Sequence, residues 1–102
     1  MEITKMLTLS TSHITKETAT LLSEACMYRK EISLVFYQKR WYNDYSGWFI
    51  YIPEELETYP EDYQDIPDDL MQILLFAKHN DCTWICLDCD GEEVDCLEVF
   101  YW

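Results

Sequence analysis

Glycine and proline are scarce in this chain of 102 residues, which holds two of the first and three of the second. So few chain breakers argue against a linker-rich or low-complexity protein. Gly47 and Gly91 stand far apart, so the sequence contains no glycine-rich phosphate loop. No apolar run approaches the ~20 residues that cross a bilayer. Met1 to Ser10 includes Glu2 and Lys5 and lacks the apolar core of a signal peptide. These absences lead us to expect a cytosolic protein with reduced cysteines. The five cysteines are Cys26, Cys82, Cys86, Cys89 and Cys96, and an odd count leaves one over in any full disulfide scheme.

Positive charge is the other shortage. Seven Lys and Arg face twenty Asp and Glu, a formal net charge of −13. The deficit is uneven: residues 53–102 hold fifteen of the acids and one base, Lys78, whereas residues 1–52 hold five acids and six bases. An asymmetry of this size points to an interaction function. The acidic half repels nucleic acid and anionic lipid and attracts basic protein surfaces. With 49% hydrophobic and 16% aromatic residues, the chain is too apolar for a disordered acidic tail, so the charge must sit on a folded body. The length suits one domain, residues 1–102.

Apolar periodicity then divides the chain. Ile3 to Leu9 alternates as a strand, and Ser10-Thr11-Ser12-His13 is a polar turn. Thr15 suits a helix N-cap with Glu17 at the positive end of the dipole, and Ala19, Leu22 and Cys26 recur at helical spacing to about Met27. Ile32 to Gln38 and Trp48 to Ile52 are β-branched and aromatic, predicting two strands around a long polar hairpin loop, Lys39 to Gly47. Pro53 ends the second of them. Pro53 to Asp69 reads as a loop with eight acids and no base. Pro67 fits the first position of a helix, Asp68 and Asp69 its first turn, and Leu70, Ile73, Leu74 and Ala77 its buried stripe, ending near His79-Asn80. Thr83 to Asp88 and Val94 to Trp102 predict two more strands, with Asp90-Gly91 as a hairpin turn. The expected fold class is α+β, in the order β-α-β-β-α-β-β: a mostly antiparallel five-stranded sheet with two helices on one face.

The run from Asp81 to Leu97, with Trp84 and Asp88-Cys89-Asp90-Gly91, the closing Tyr101-Trp102 and the opening Leu9-Ser10-Thr11-Ser12-His13-Ile14-Thr15 resemble a small bacterial domain family of unknown function, found in short proteins of plasmids, integrated elements and phages. Ser12 stands where that family has Ala, and the spacing before the terminal aromatic pair differs. The resemblance implies an accessory protein of a mobile element and implies no reaction.

The residues offer several chemistries. Cys82, Cys86, Cys89 and Cys96 look superficially like a zinc set, but a tetrahedral site needs four converging thiolates and strand alternation turns Cys89 away. Around Gly91, a calcium loop of the EF-hand kind would place Cys86 and Leu97 at ligand positions, so a hairpin turn explains the same letters better. His13 beside Ser10 and Ser12 allows a nucleophile pair to be drawn, without the sharp turn such a serine needs. Lys39 and Arg40 among aromatics are too few for a nucleic-acid funnel. No cofactor and no metal site is therefore expected.

The acidic tract is the remaining signal. We expect the partner-binding residues to be Glu54, Glu55, Glu57, Glu61, Asp62, Asp65, Asp68 and Asp69, with Asp90, Glu92, Glu93 and Asp95 second, and Tyr59, Tyr63 and Trp41 as apolar anchors. The expected function is an acidic binding protein or inhibitor, not an enzyme, occupying a basic surface of a host nucleic-acid-handling or defence protein. Carboxylates arrayed as duplex phosphates would serve that end. A small enzyme or metal-dependent regulator using His13 and the C-terminal cysteines is the alternative, and a subunit that self-associates through aromatic faces is a third.

Overall fold

A computed structural model describes residues 3–28, 32–41 and 44–101, the side chains at 40, 41 and 44–46 excepted. The order of elements is β1 (Met6–Ser10), a 3-10 turn (Thr11–His13), α1 (Lys16–Tyr28), β2 (Phe36–Trp41), β3 (Asp44–Tyr51), a second 3-10 turn (Pro60–Tyr63), α2 (Asp68–His79) and β4 (Trp84–Asp88). The strands form one mixed sheet in the order β1-β4-β3-β2. β4 pairs in parallel with β1 and antiparallel with β3, and β3 pairs antiparallel with β2.

Both helices form where their caps and stripes place them. The Thr15 hydroxyl accepts the Thr18 N–H (3.1 Å), the N-cap bond of α1. Pro67 precedes α2, with Asp68 and Asp69 in its first turn. Ala19 and Leu22 from α1 join Leu70, Ile73, Leu74 and Ala77 from α2 in one buried cluster with Leu9, Trp48, Ile50, Ile85 and Leu87. Those last five all point to the same side of the pleat, so both helices lie on one face of the sheet. Complete burial of each Leu or Ile stabilises by ~1.5–3 kcal/mol, which makes this cluster the main source of stability.

Three expectations are corrected. The sheet has four strands and is mixed, where five mostly antiparallel strands were expected. No strand forms over 94–101: β1 and β3 already occupy both edges of β4, so a hairpin from β4 has no edge to pair with. The turn at Asp90-Gly91 is real, with the Gly91 N–H donating to the Asp88 carbonyl (2.9 Å), but it sends the chain across the end of β1. There the Ser10 N–H donates to the Glu92 carbonyl (2.9 Å), and a Cβ on Gly91 would lie 2.4 Å from the Leu9 carbonyl oxygen. Lastly, the stretch Lys39 to Gly47 belongs largely to β2 and β3, because backbone pairing continues outward past an irregularity between Lys39 and Arg40.

Gly47 allows the one Lys–carboxylate ion pair found among the described residues. Lys39 on β2, Gly47 on β3 and Asp88 on β4 stand in one row. With no side chain between them, Lys39 reaches across β3 to hydrogen-bond the Asp88 carboxylate. Gly47 has φ +147, and a Cβ there would sit 1.6 Å from the Leu87 carbonyl oxygen. The Lys39 bond, helped by the Asp90 N–H, holds the Asp88 carboxyl below its usual value, and the same bond raises the Lys39 ammonium above its own.

Gly47→Ala is expected to destabilise the fold by about 3 kcal/mol or more, through strain plus backbone displacement, as read from urea unfolding. The ion pair is expected to stabilise by ~0.5–1 kcal/mol. For Asp88, whose folded value is lowered, that contribution is present above the ordinary carboxylate value and is lost as pH falls through the depressed one. Lys39→Met should therefore weaken the protein at about neutral pH and converge on the wild type in strong acid. Equal losses at both pH values would contradict the pair's role.

Candidate functional site

The acidic loop starts at the end of the sheet where β3 finishes. Ile52 donates its N–H to the Thr83 carbonyl (2.9 Å), and the chain then folds into turns against the core. Leu56 (2% exposed) and Ile66 (7%) are sunk into the hydrophobic cluster, and Tyr63 packs against it. Burial pushes the Tyr63 phenol up, with the charges of Glu55 and Asp62 adding to the effect. Within the loop, the Tyr59 N–H donates to the Glu55 carbonyl (2.9 Å) and the Asp62 N–H to the Tyr59 carbonyl (3.0 Å). The apolar residues alternate with acids, and burying the first forces the second outward.

The carboxylates divide by use. Asp69 is an internal clasp: one oxygen accepts the Thr15 N–H and the other the Thr18 hydroxyl, both at 2.8 Å, tying the first turn of α2 to the start of α1. Asp65 accepts the Ser33 N–H (2.8 Å), fastening the loop to the approach to β2. Glu57 lies 2.8 Å from His79 Nε2. Lys78 donates to the carbonyl of Glu54 (2.8 Å) and leaves that residue's carboxylate alone. Glu54, Glu55, Glu61, Asp62 and Asp68 are exposed, and no Lys or Arg among the described residues pairs with them. Of the expected anchors, Tyr59 is 48% exposed. Trp41 closes β2, and its side chain lies outside the described residues.

Asp90, Glu92, Glu93 and Asp95 leave from the opposite end of β4. The two acidic groups are therefore separated by the length of that strand. Here the chain wraps around the turn after β1, and His13 is the peg. His13 is 2% exposed; its Nδ1–H donates to the Glu98 carbonyl (2.8 Å) and its Nε2 accepts the Val94 N–H (3.0 Å). Those partners require the neutral ring with the proton on Nδ1. The Phe100 N–H donates to the Ser12 carbonyl (2.7 Å) and completes the wrap. With both nitrogens so used, His13 makes no hydrogen bond to Ser10 or Ser12. The Ser12 hydroxyl lies instead 2.8 Å from Ser10 Oγ and 3.3 Å from Glu93 Oε1.

The cysteines do not converge. Cys82 and Cys86 are buried, and Cys89 and Cys96 are exposed. Burial pushes the Cys86 thiol up, partly offset by Lys39, 3.9 Å away. Among the described residues, the group close enough to share an ion is Asp88, Cys89 and Asp90, and Lys39 already holds the first of these.

A cleft of about 870 Å³ opens beside this wrap, between α1 and the ends of β1 and β4. Ser10, Ser12, Glu93 and Phe100 line one side, Lys16 and Thr20 the other, and Trp48 is also in its wall. The Trp48 indole N–H is buried without a hydrogen-bond partner among the described residues. Sequence reasoning did not find this cleft. It lies at the carboxyl ends of two parallel neighbours, a usual place for a crevice, but that pairing joins the first strand to the last.

Comparison with known proteins gives one finding. The model of a family of unknown function (DUF5983), C-terminal domain, matches residues 6–102. No curated protein and no solved structure matches the chain. The match runs from the first residue of β1 through the C-terminal wrap, so the chain belongs to this family of unknown function.

Proposed function

We propose that the protein is an acidic recognition module that docks on a basic surface of another protein. One observation carries this reading: Glu54, Glu55, Glu61, Asp62 and Asp68 are exposed, uncompensated by Lys or Arg among the described residues, on a loop pinned by Leu56, Ile66 and Asp65. A pinned array loses little conformational freedom on binding. Its unpaired charge steers a cationic partner and accelerates encounter. Carboxylates already bonded internally contribute less, so Asp65 and Asp69 move from the expected contact set to the scaffold.

Asp90, Glu92, Glu93 and Asp95 supply a second negative patch at the far end of β4. A partner that meets both patches needs an extended basic face, such as a groove that ordinarily holds a nucleic-acid duplex. The protein would then release the counterions of that groove in place of phosphates. In the mobile-element setting that the family resemblance implies, a host nucleic-acid-handling or defence protein is the partner class that fits.

The test is recovery of partners on immobilised protein at about 50 and about 200 mM salt. Wild type is expected to retain a basic protein at the lower salt and lose most of it at the higher. The combined variant Glu54→Lys, Glu55→Lys, Glu61→Lys and Asp62→Lys should fail at both while unfolding like wild type. Retention that ignores both salt and charge reversal would overturn the reading.

A further inference from the structure

The sheet has a second face, and no helix among the described residues covers it. Met6 on β1, Trp84 on β4 and Tyr51 on β3 stand in one row across that face, and Tyr37 on β2 belongs to the next. Their rings touch. Tyr37 stacks on Trp84 with centroids 6.4 Å apart and planes at 26°, and Tyr51 meets Trp84 edge-on at 5.3 Å and 67°. Tyr37 nevertheless remains 60% exposed, with Val35 at 55% and Met6 at 46%. Single exposed apolar residues are ordinary on a soluble protein, but a joined group spread over the strands of an uncovered sheet marks a contact surface.

Charge selects the occupant. Nucleic acid could stack on such rings, but a body with net charge −13 repels its phosphates. A second copy would bring its own −13 against the first. A cationic protein gains from the same field. The rings are also continuous with the acidic loop: a groove of about 290 Å³ runs from Val35 and Tyr51 to Glu54, Glu55 and Tyr63. Aromatic centre and charged rim together have the anatomy of a protein interface.

Among cationic side chains, the guanidinium suits both parts. It is planar and weakly hydrated, it stacks on aromatic rings, and it takes a carboxylate through two parallel hydrogen bonds. An ammonium does neither as well. We propose that the uncovered sheet face receives an arginine-bearing segment of the partner, with a guanidinium on the Tyr37–Trp84–Tyr51 cluster and its charge met by Glu54 or Glu55. This rests on the recognition role proposed above and deepens it by naming the side chain recognised and the face that reads it.

Two peptides of equal length and charge, one rich in arginine and one in lysine, provide the probe. Binding to the whole chain is followed by NMR, with the Trp84 indole N–H and the Tyr37 ring as reporters. The arginine peptide is expected to bind about two- to fivefold more tightly and to shift both reporters. Tyr37→Ala, at an exposed position, should erase that preference while leaving the lysine peptide unchanged. Equal affinities, with the shifts confined to the acidic residues of 54–68 and 88–95 and absent from both ring reporters, would overturn this inference and leave the acidic recognition role standing. Absence of salt-dependent binding by either peptide would overturn both.

Discussion

β4 is enclosed on both edges, and the rest of the architecture follows from that. It takes β1 in parallel on one side and β3 antiparallel on the other, so every backbone group that could have started a fifth strand is already paired. Ile85 and Leu87 enter the helix-covered core, and Trp84 and Cys86 turn to the opposite face. The chain that leaves Asp88 must find other partners, and it finds them in the turn after β1. His13 satisfies the Val94 N–H and the Glu98 carbonyl, two groups that a hairpin would have paired in a ladder.

The same enclosure arranges the charge. Because β3 ends where β4 begins, the loop from Pro53 and the segment after Asp88 emerge at opposite ends of the sheet. Thirteen net negative charges on one small body repel one another, and separating the two densest groups reduces that repulsion. Lys39 offsets part of it internally by reaching Asp88 over Gly47. The fold thus holds its two densest acidic groups at opposite ends of the sheet, with the ring-bearing face adjoining the one at Glu54 and Glu55.

Local signals in the sequence were legible. The stripe Leu70, Ile73, Leu74 and Ala77 is the buried face of α2, Thr15 caps α1, and the β4 segment is a strand to within a residue. Non-local pairing was not. Nothing near Leu7 says that it will lie beside Ile85, and an Asp-Gly pair after a strand signals a hairpin whether or not an edge is free to receive it. The site divides the same way. Exposure of Glu54 and Glu55 follows from a proline-bounded acidic loop, whereas Asp69 reads as a helix-dipole residue and is in fact bonded to Thr15 and Thr18, more than fifty positions earlier. The cleft beside Trp48 and the open ring cluster around Trp84 depend on strand order, which alternation alone does not encode.

The enclosure of β4 is tested most directly by interstrand proton–proton contacts in solution. The account predicts contacts between Leu7 and Ile85 and between Leu9 and Leu87 in parallel register, together with antiparallel contacts from Phe49 to Cys86. An antiparallel ladder between residues 84–88 and 94–101, with β1 released from β4, would contradict it.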